Sequence, residues 1–316
     1  MDVDLFKGSL KGKKIFLTGG SGFVGGRLVE ILMKDFDVDL KVLVRSYSSC
    51  STIARYPIQI VKGDINNKED ILELTKNCDI IIHCAFGNSG SQSLQYNTTV
   101  KGTANILNAF EKNKLKKLVY ISTVDVYGYT SSTIDESSKG KQKIDLYSKS
   151  KKKAEDLVLT YIENKDAPIT ILQPTIIYGP NARQWTEQQL TNIKKGLMIL
   201  PSYGKNICNP VYIDDVIQSI IKCCINNKKI DGQKFLISGP QSISWEDFYS
   251  HLGNFYGKQS YKLLDRKRIL ELQRIKKRSE TTLFRILKVL TQKDDIRQGI
   301  QRLPFYQKID NIFRIL

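Results

Sequence analysis

Only two histidines, His83 and His251, occur among the 316 residues, and the six cysteines contain no C-x-x-C pair. A histidine- or cysteine-based metal centre lacks its ligand set, and a disulfide scaffold lacks its spacing. Cys84 lies within an apolar run and Cys223 within a helical pattern, so most thiols read as small core residues. Long hydrophobic runs are missing as well. The longest, between Asp79 and Phe86, is far too short to cross a bilayer, and the polar, acidic start Met1-Asp2-Val3-Asp4 does not read as a signal peptide. These absences predict a cytoplasmic protein with no metal and no transmembrane segment. No internal repeat or low-complexity block appears.

Acidic charge is also in short supply. Asp and Glu number 32 against 49 Lys and Arg, a net charge of +17. The surplus is uneven, since residues 262–316 hold 15 basic and 6 acidic residues. That end lacks the aromatic-and-glycine motifs of single-strand binders, so no nucleic-acid partner is expected. It reads as a solvated basic helical surface, with contact to an anionic membrane surface or to a phosphate-bearing substrate as the alternatives.

What is present is an ordinary globular composition, 41% hydrophobic and 26% charged, in a chain long enough for one large or two modest domains. Apolar runs at Ile15–Leu17, Lys41–Val44, Ile58–Val61, Ile80–His83, Leu118–Ser122 and Ile169–Gln173 read as strands. Helical patterns fall between them at Gly25–Asp35, Lys68–Asn77, Gly102–Lys112 and Ser148–Glu163. Continuous apolar strands alternating with helices predict a parallel sheet covered on both faces. The rhythm breaks after Tyr178-Gly179-Pro180. Beyond it come a helix at Thr186–Gly196, helical spacing over Val211–Ile225, a last strand at Lys234–Ser238 and helices from Trp245 onward. Leu283, Ile286, Leu287 and Leu290 give Glu280–Thr291 an amphipathic face.

The densest signal is Thr18-Gly19-Gly20-Ser21-Gly22-Phe23-Val24-Gly25, set between a strand and a helix. Gly19 suits a tight turn, Gly22 lets the backbone approach a pyrophosphate, and Gly25 lets helix and strand pack closely. The helix N-terminus then offers free N–H groups to phosphate. The prediction is an α/β fold, a Rossmann-type doubly wound parallel sheet over residues 10–180 with 208–239 returning to it. Residues 181–207 and 240–316 would form a smaller, mostly helical substrate-binding part.

A second signal is Tyr147 four residues before Lys151, which places both on one helix face. An ammonium beside a phenol favours the phenolate, and this spacing predicts a lowered Tyr147 pKa. Thr123 ends a strand, where its hydroxyl faces the ligand crevice of such sheets. Arg45 ends the second strand at a place where an acidic residue would accept from the ribose hydroxyls of NAD. Arginine instead suits a 2′-phosphate, so NADP is favoured over NAD.

In order along the chain stand the glycine motif, Gly63-Asp64, His83-Cys84-Ala85, Asn97 before Gly102-Thr103, Ser122-Thr123 with Val126-Tyr127-Gly128, Tyr147 with Lys151, Pro174 with Tyr178-Gly179-Pro180, and Val211-Tyr212-Ile213-Asp214-Asp215-Val216. Over residues 12–240 the chain thus resembles the extended short-chain dehydrogenase/reductases, also called the NAD-dependent epimerase/dehydratase family. The resemblance implies Tyr147 as acid/base, Lys151 as its pKa partner and ribose ligand, and Thr123 as ligand to the substrate oxygen. It implies a cofactor held by Gly19, Ser21, Gly22, Phe23, Val24, Gly25, Arg45, Asp64, Ile65, Ala85, Phe86, Lys151 and Pro174. Asp64 would accept from the adenine amino group. His83 reads as a packed strand residue, and Asp215 as the residue tying the late segment to the core. A homodimer through the Gly102–Lys112 and Tyr147–Glu163 helices is a further implication.

Two departures matter. Nucleotide-sugar members usually carry an asparagine where Ile176 stands, and an arginine where Cys208-Asn209-Pro210 stands. Both changes resemble the ketone, aldehyde or sterol-type reductases. The leading expectation is an oxidoreductase moving hydride between nicotinamide and a carbonyl/secondary-alcohol pair. A nucleotide-sugar epimerase or dehydratase that retains its cofactor is the alternative, with Asp125 offering one acidic group but no adjacent Asp-Glu pair. A non-catalytic NAD(P)-binding protein is the third.

Overall fold

The computed structural model describes residues 8–128, 132–140, 145–196, 198–225, 228–254, 261–265, 267–271 and 274. In chain order the elements are β1 (Lys13–Thr18), α1 (Phe23–Asp35), β2 (Val38–Val44), β3 (Gln59–Lys62), α2 (Lys68–Leu74), β4 (Ile80–His83), α3 (Gln92–Lys112), β5 (Lys117–Ile121), α4 (Leu146–Lys165) and β6 (Ile169–Pro174). They continue with β7 (Ile176–Tyr178), α5 (Gln188–Lys194), β8 (Met198–Pro201), β9 (Ile207–Cys208), β10 (Pro210–Tyr212), α6 (Ile213–Cys224), β11 (Lys234–Ile237), β12 (Ile243–Ser244), α7 (Trp245–Asn254) and β13 (Tyr261–Leu264).

Seven strands form one sheet in the order β11-β6-β5-β4-β1-β2-β3, and every pairing in it is parallel. Its central strands are apolar on both sides because helices cover both faces. All residues of β4, β5 and β6 are buried. Successive side chains alternate between the faces. Ile15, Leu17, Ile80, Ile82 and Val119 pack with Leu28 and Leu32 of α1 and with Val216 and Ile220 of α6. Phe16, Ile81, Leu118 and Tyr120 pack with Ile106 and Phe110 of α3 and with Ala154 and Val158 of α4. Each such burial contributes roughly 1.5–3 kcal/mol.

The strand order reverses at β1, which lies between β2 and β4. The chain leaves β1 toward β2 and β3, then crosses back to β4. The crevice this opens at the carboxyl ends of β1 and β4 is where ligands bind in open α/β sheets. Thr18 and His83, the last residues of these strands, face each other in register. Polar side chains start the helices around it: Asn67 caps α2, Ser91 caps α3 and Asp145 caps α4.

By internal contacts the chain divides into two compact units, Met1–Ala182 with Pro210–Pro240, and Arg183–Asn209 with Gln241–Leu316. The first contains the large sheet and the β7–β10 pair. In the second, β8 pairs with β13 and β9 with β12, around an aromatic cluster of Trp185, Trp245, Phe248 and Tyr249. Among the described residues, no helix is long and apolar enough to cross a membrane.

Several sequence expectations need correcting. α3 begins at Gln92 rather than at Gly102, because the Ser91 hydroxyl accepts from Leu94 N at 3.2 Å and starts the helix early. Val211 and Tyr212 do not open a helix. They pair as β10 with Ile177 and Tyr178, and the helix starts at Ile213. The residues from Trp245 onward are not all helical, since β13 adds to β8. Strands β7, β8, β9 and β12 were not anticipated; each lies outside the strand–helix alternation and is fixed by a partner distant in sequence. Cys84 lies just past β4 rather than inside a strand. The tie between the late segment and the core is made by Asp214, not Asp215. Its carboxylate takes a bidentate pair of bonds from Arg27 of α1, at 2.7 and 2.8 Å, while Asp215 is exposed. The amphipathic stretch Glu280–Thr291 lies outside the described residues.

Candidate active site

The glycine turn is shaped by backbone contacts that exclude any side chain. Gly19 has φ +76°, and a Cβ there would stand 2.8 Å from Ala85 N and from the Cys84 carbonyl carbon. A Cβ on Gly25 would stand 2.3 Å from Gly19 O. Gly22 N donates to Gly19 O at 3.0 Å, closing the turn, and Gly22 is the N-cap of α1. No side chain caps that helix, so its first N–H groups face outward without the usual partner. Ser21 is exposed at the turn, Phe23 and Val24 are partly exposed, and Gly25 is buried.

Behind the turn lies a chain of hydrogen bonds. Thr103 Oγ1 donates to Thr99 O at 2.7 Å, so the 3.1 Å contact between His83 Nε2 and Thr103 Oγ1 has the imidazole donating. His83 Nδ1 then accepts from Thr18 Oγ1 at 2.7 Å, and Thr18 Oγ1 accepts from Ala85 N at 3.3 Å. His83 is fully engaged as a neutral ring, and burial pushes it down to about 3. Its part is to hold the β1 and β4 ends together.

The other expected cofactor residues lie along the same rim. Arg45 follows β2, is exposed, and donates from Nη2 to Ser89 Oγ at 3.2 Å. Asp64, past β3, is exposed and accepts from Asn66 N at 2.9 Å. Ile65 differs from its neighbours. It is 4% exposed, its side chain fills the space that a Cβ on Gly102 would need, and its carbonyl accepts from Asn105 Nδ2 at 2.9 Å. Its side chain is committed to the core. Ala85 and Phe86 follow β4, and Pro174 is buried at the end of β6. The Phe86 ring meets that of Tyr147 edge-on, with centroids 5.4 Å apart.

Thr123, Tyr147 and Lys151 come together where β5 ends and α4 begins. The Asp145 side chain accepts from Ser148 N at 2.8 Å and sets the first turn of α4, which carries Tyr147. Thr123 caps the short 3-10 turn Val124–Tyr127, its hydroxyl accepting from Asp125 N at 3.2 Å, and stands close enough to the Tyr147 side chain to favour its ionised form. Lys151 is 3% exposed. Its Nζ donates to Ile121 O and lies 4.5 Å from the centre of the Tyr120 ring. A buried ammonium is penalised, and Lys151 is pushed down to about 8.

The electrostatics here overturn one expectation. Tyr147 is not lowered but pushed up to about 12, by burial first and by the nearby Asp125 second, against the favourable effect of Thr123. Lys151 shares the helix face but directs its charge to the Ile121 carbonyl. Asp125 is itself raised, chiefly by burial and then by Asp145.

Two features of the site had escaped the sequence reading. Thr18 was read only as part of the glycine motif, yet its hydroxyl couples His83 to Ala85. Glu155 and Gln173 were not singled out at all. Glu155 is 2% exposed; it accepts from Ser122 Oγ and, at 3.0 Å, from Gln173 Nε2. The signal available was the spacing, since Glu155 stands one helical turn past Lys151.

The sequence profile described as the NAD dependent epimerase/dehydratase family matches residues 15–238. The chain is similar to a dTDP-D-glucose 4,6-dehydratase of Dictyostelium discoideum, 32% identical over 240 residues, covering 66% of this chain and 54% of that protein. It is also similar to a 2-alkyl-3-oxoalkanoate reductase of Shewanella oneidensis, 26% identical over 244 residues, covering 72% of this chain and 62% of that protein. The chain therefore spans between about half and three-fifths of the length of these curated relatives. Among solved structures, a UDP-glucuronic acid 4-epimerase from Bacillus cereus in complex with NAD superposes with a TM-score of 0.71 at 25% identity, covering 80% of this chain and 87% of that one.

Proposed function

The chain belongs to the NAD-dependent epimerase/dehydratase family, and from this premise we propose that it is an NAD(P)-dependent oxidoreductase acting on a carbonyl/secondary-alcohol pair. The observation that carries the reading is the convergence of Thr123, Tyr147 and Lys151 at the end of β5, on the carboxyl edge of the sheet that also bears the glycine turn. The residues present fit a dinucleotide. The turn leaves no room for a Cβ at Gly19 or Gly25, and the α1 N-terminus has no side-chain cap. Gly22 and the first N–H groups of α1 would hold the pyrophosphate, Asp64 the adenine, and Lys151 the ribose. Arg45, exposed beyond β2, would pair with a 2′-phosphate and favour NADP.

The bound nicotinamide supplies the hydride exchange. The protein's own side chains handle the proton. With Tyr147 held near 12, its hydroxyl is a neutral phenol at neutral pH, suited to donate to a carbonyl oxygen as negative charge develops there. Thr123, close to Tyr147, would hold the same oxygen. For the reverse direction the phenol must lose its proton, and the Lys151 ammonium favours that loss when it turns from the Ile121 carbonyl toward the ribose and Tyr147.

Support for a simple carbonyl substrate comes from Ile176, an apolar residue where an asparagine would contact a nucleotide sugar, and from the similarity to an oxoalkanoate reductase. A second reading, a nucleotide-sugar epimerase that regenerates its cofactor each cycle, is favoured by the similarity to the UDP-glucuronic acid 4-epimerase. Purified protein mixed with NADPH or NADH and a panel of ketones, aldehydes and UDP- or dTDP-hexoses separates them. Stoichiometric loss of absorbance at 340 nm supports the oxidoreductase; inversion at a sugar carbon without net loss supports the epimerase. Tyr147→Phe should lower kcat by roughly 10²–10⁴-fold. Unchanged turnover in that variant would remove Tyr147 from the mechanism.

A further inference from the structure

Lys151 is a buried cation whose described contacts are neutral, the Ile121 carbonyl and the face of the Tyr120 ring. A buried charge needs compensation, or it gives up its proton. The titratable groups around it offer little. His83 is held near 3 and Cys84 near 12, both by burial, so each is uncharged at neutral pH. Tyr147, near 12, is also neutral there. The carboxyl group that acts on Lys151 is that of Glu155, one helical turn further along α4, whose charge favours the ammonium.

Glu155 is held in place from several sides. Each contact described for its side chain comes from a donor, Ser122 Oγ to one oxygen and Gln173 Nε2 to both. Gln173 is in turn oriented by Tyr127, whose hydroxyl donates to its Oε1 at 2.8 Å. Donors converging on one side chain hold its carboxyl group in a fixed place. The anchor is also placed with purpose. Lys151 is bonded to Ile121 and Glu155 to Ser122, adjacent residues that lead directly into Thr123.

We propose that Glu155 is a positioning residue for Lys151: its carboxylate keeps the buried lysine protonated and, through Ser122, fixes α4 against the end of β5 that presents Thr123. The proposal takes from the preceding section only the role of Lys151 beside Tyr147. The lysine's charge state can be measured without turnover.

The direct test labels lysine with ¹³C at Cε and follows the Lys151 resonance, assigned by its loss in Lys151→Met, through a pH titration. Glu155→Gln should move the Lys151 midpoint down by about one pH unit, whereas Ser122→Ala, which keeps the charge, should leave it in place. An unmoved midpoint in Glu155→Gln, or an equal shift in both variants, overturns the proposal. If Glu155→Gln does not fold, adding Lys151→Met removes the charge left unbalanced and should restore folding; a double variant that stays unfolded also overturns it. In an active enzyme the alkaline limb of kcat/KM should move with the lysine midpoint, and Glu155→Asp should restore it. Absence of hydride transfer with a shifted Lys151 midpoint rejects the proposed reaction while supporting the Glu155–Lys151 coupling.

Discussion

The glycine turn after β1 and the head of α4 are two halves of one candidate site, and they are built by different means. The turn is made of backbone. What matters there is the absence of side chains, as at Gly19 and Gly25, where a Cβ would collide with main-chain atoms. The head of α4 is made of side chains whose charge and protonation depend on what surrounds them. Tyr147 is pushed up to about 12 and Lys151 down to about 8 by burial alone as the largest cause. A backbone cradle tolerates no local change but is insensitive to pH. A side-chain site tolerates conservative change but responds to pH and to distant charge.

The harshest way to break this contrast is Gly25→Ala. Its Cβ would meet Gly19 O at 2.3 Å and Gly20 Cα at 2.8 Å, both of them backbone. The expected result is loss of detectable NAD(P) binding by calorimetry and a stability loss of roughly 2–4 kcal/mol in urea unfolding. Near-normal cofactor affinity would show that the turn is not a phosphate cradle.

Lys151→Met tests the other half. Removing the cation proposed to assist Tyr147 should lower kcat by about 10²-fold or more, while the fold is kept, because Glu155 retains its donors Ser122 and Gln173 once the lysine charge is gone. Equal loss of folding and of activity would make Lys151 structural instead.

A pH series sharpens the comparison without any substitution. The Lys151 midpoint is lowered in the folded state from 10.5 to about 8. Between those values the unfolded chain holds a proton that the folded chain has lost, so this group makes stability rise with pH across that window. Activity that needs the ammonium should fall over the same window. Five cysteines, Cys78, Cys84, Cys208, Cys223 and Cys224, raised by burial from 9.0, and Tyr147, raised from 10 to about 12, act oppositely on stability, so the Lys151 group is read from activity between pH 8 and 10. Activity that holds constant from pH 8 to 10 would contradict the assignment.

The smallest effect belongs to Arg45→Ala. Loss of one charge-assisted contact should weaken NADP binding roughly tenfold and leave NAD binding nearly unchanged, as read by fluorescence titration of the reduced cofactors. Equal weakening of both would end the preference for NADP.

Much of the first half of the site was legible because its determinants are local. A strand, three spaced glycines and a helix carry their own geometry, and the fully buried strands at Ile80–His83 and Ile169–Pro174 sit close to where their patterns put them. The short strands β7 to β10 were not legible, since they lie outside the strand–helix alternation and gain their hydrogen bonds only from a partner distant in sequence. Asp214 and Asp215 show the same limit. Both are acidic and adjacent, and only the position of Arg27 on α1 decides which one forms the tie.

The amino-acid sequence by itself determined the alternation of strand and helix, the glycine turn and the residues gathered at the strand ends, because hydrophobic period and backbone permissiveness act over a few neighbours. The tertiary structure alone decided the charge state of those residues. Desolvation depends on everything that closes over a group, and the carboxyl group that balances Lys151 takes up its place only when Ser122 and Gln173, 33 and 18 residues from Glu155, come to meet it.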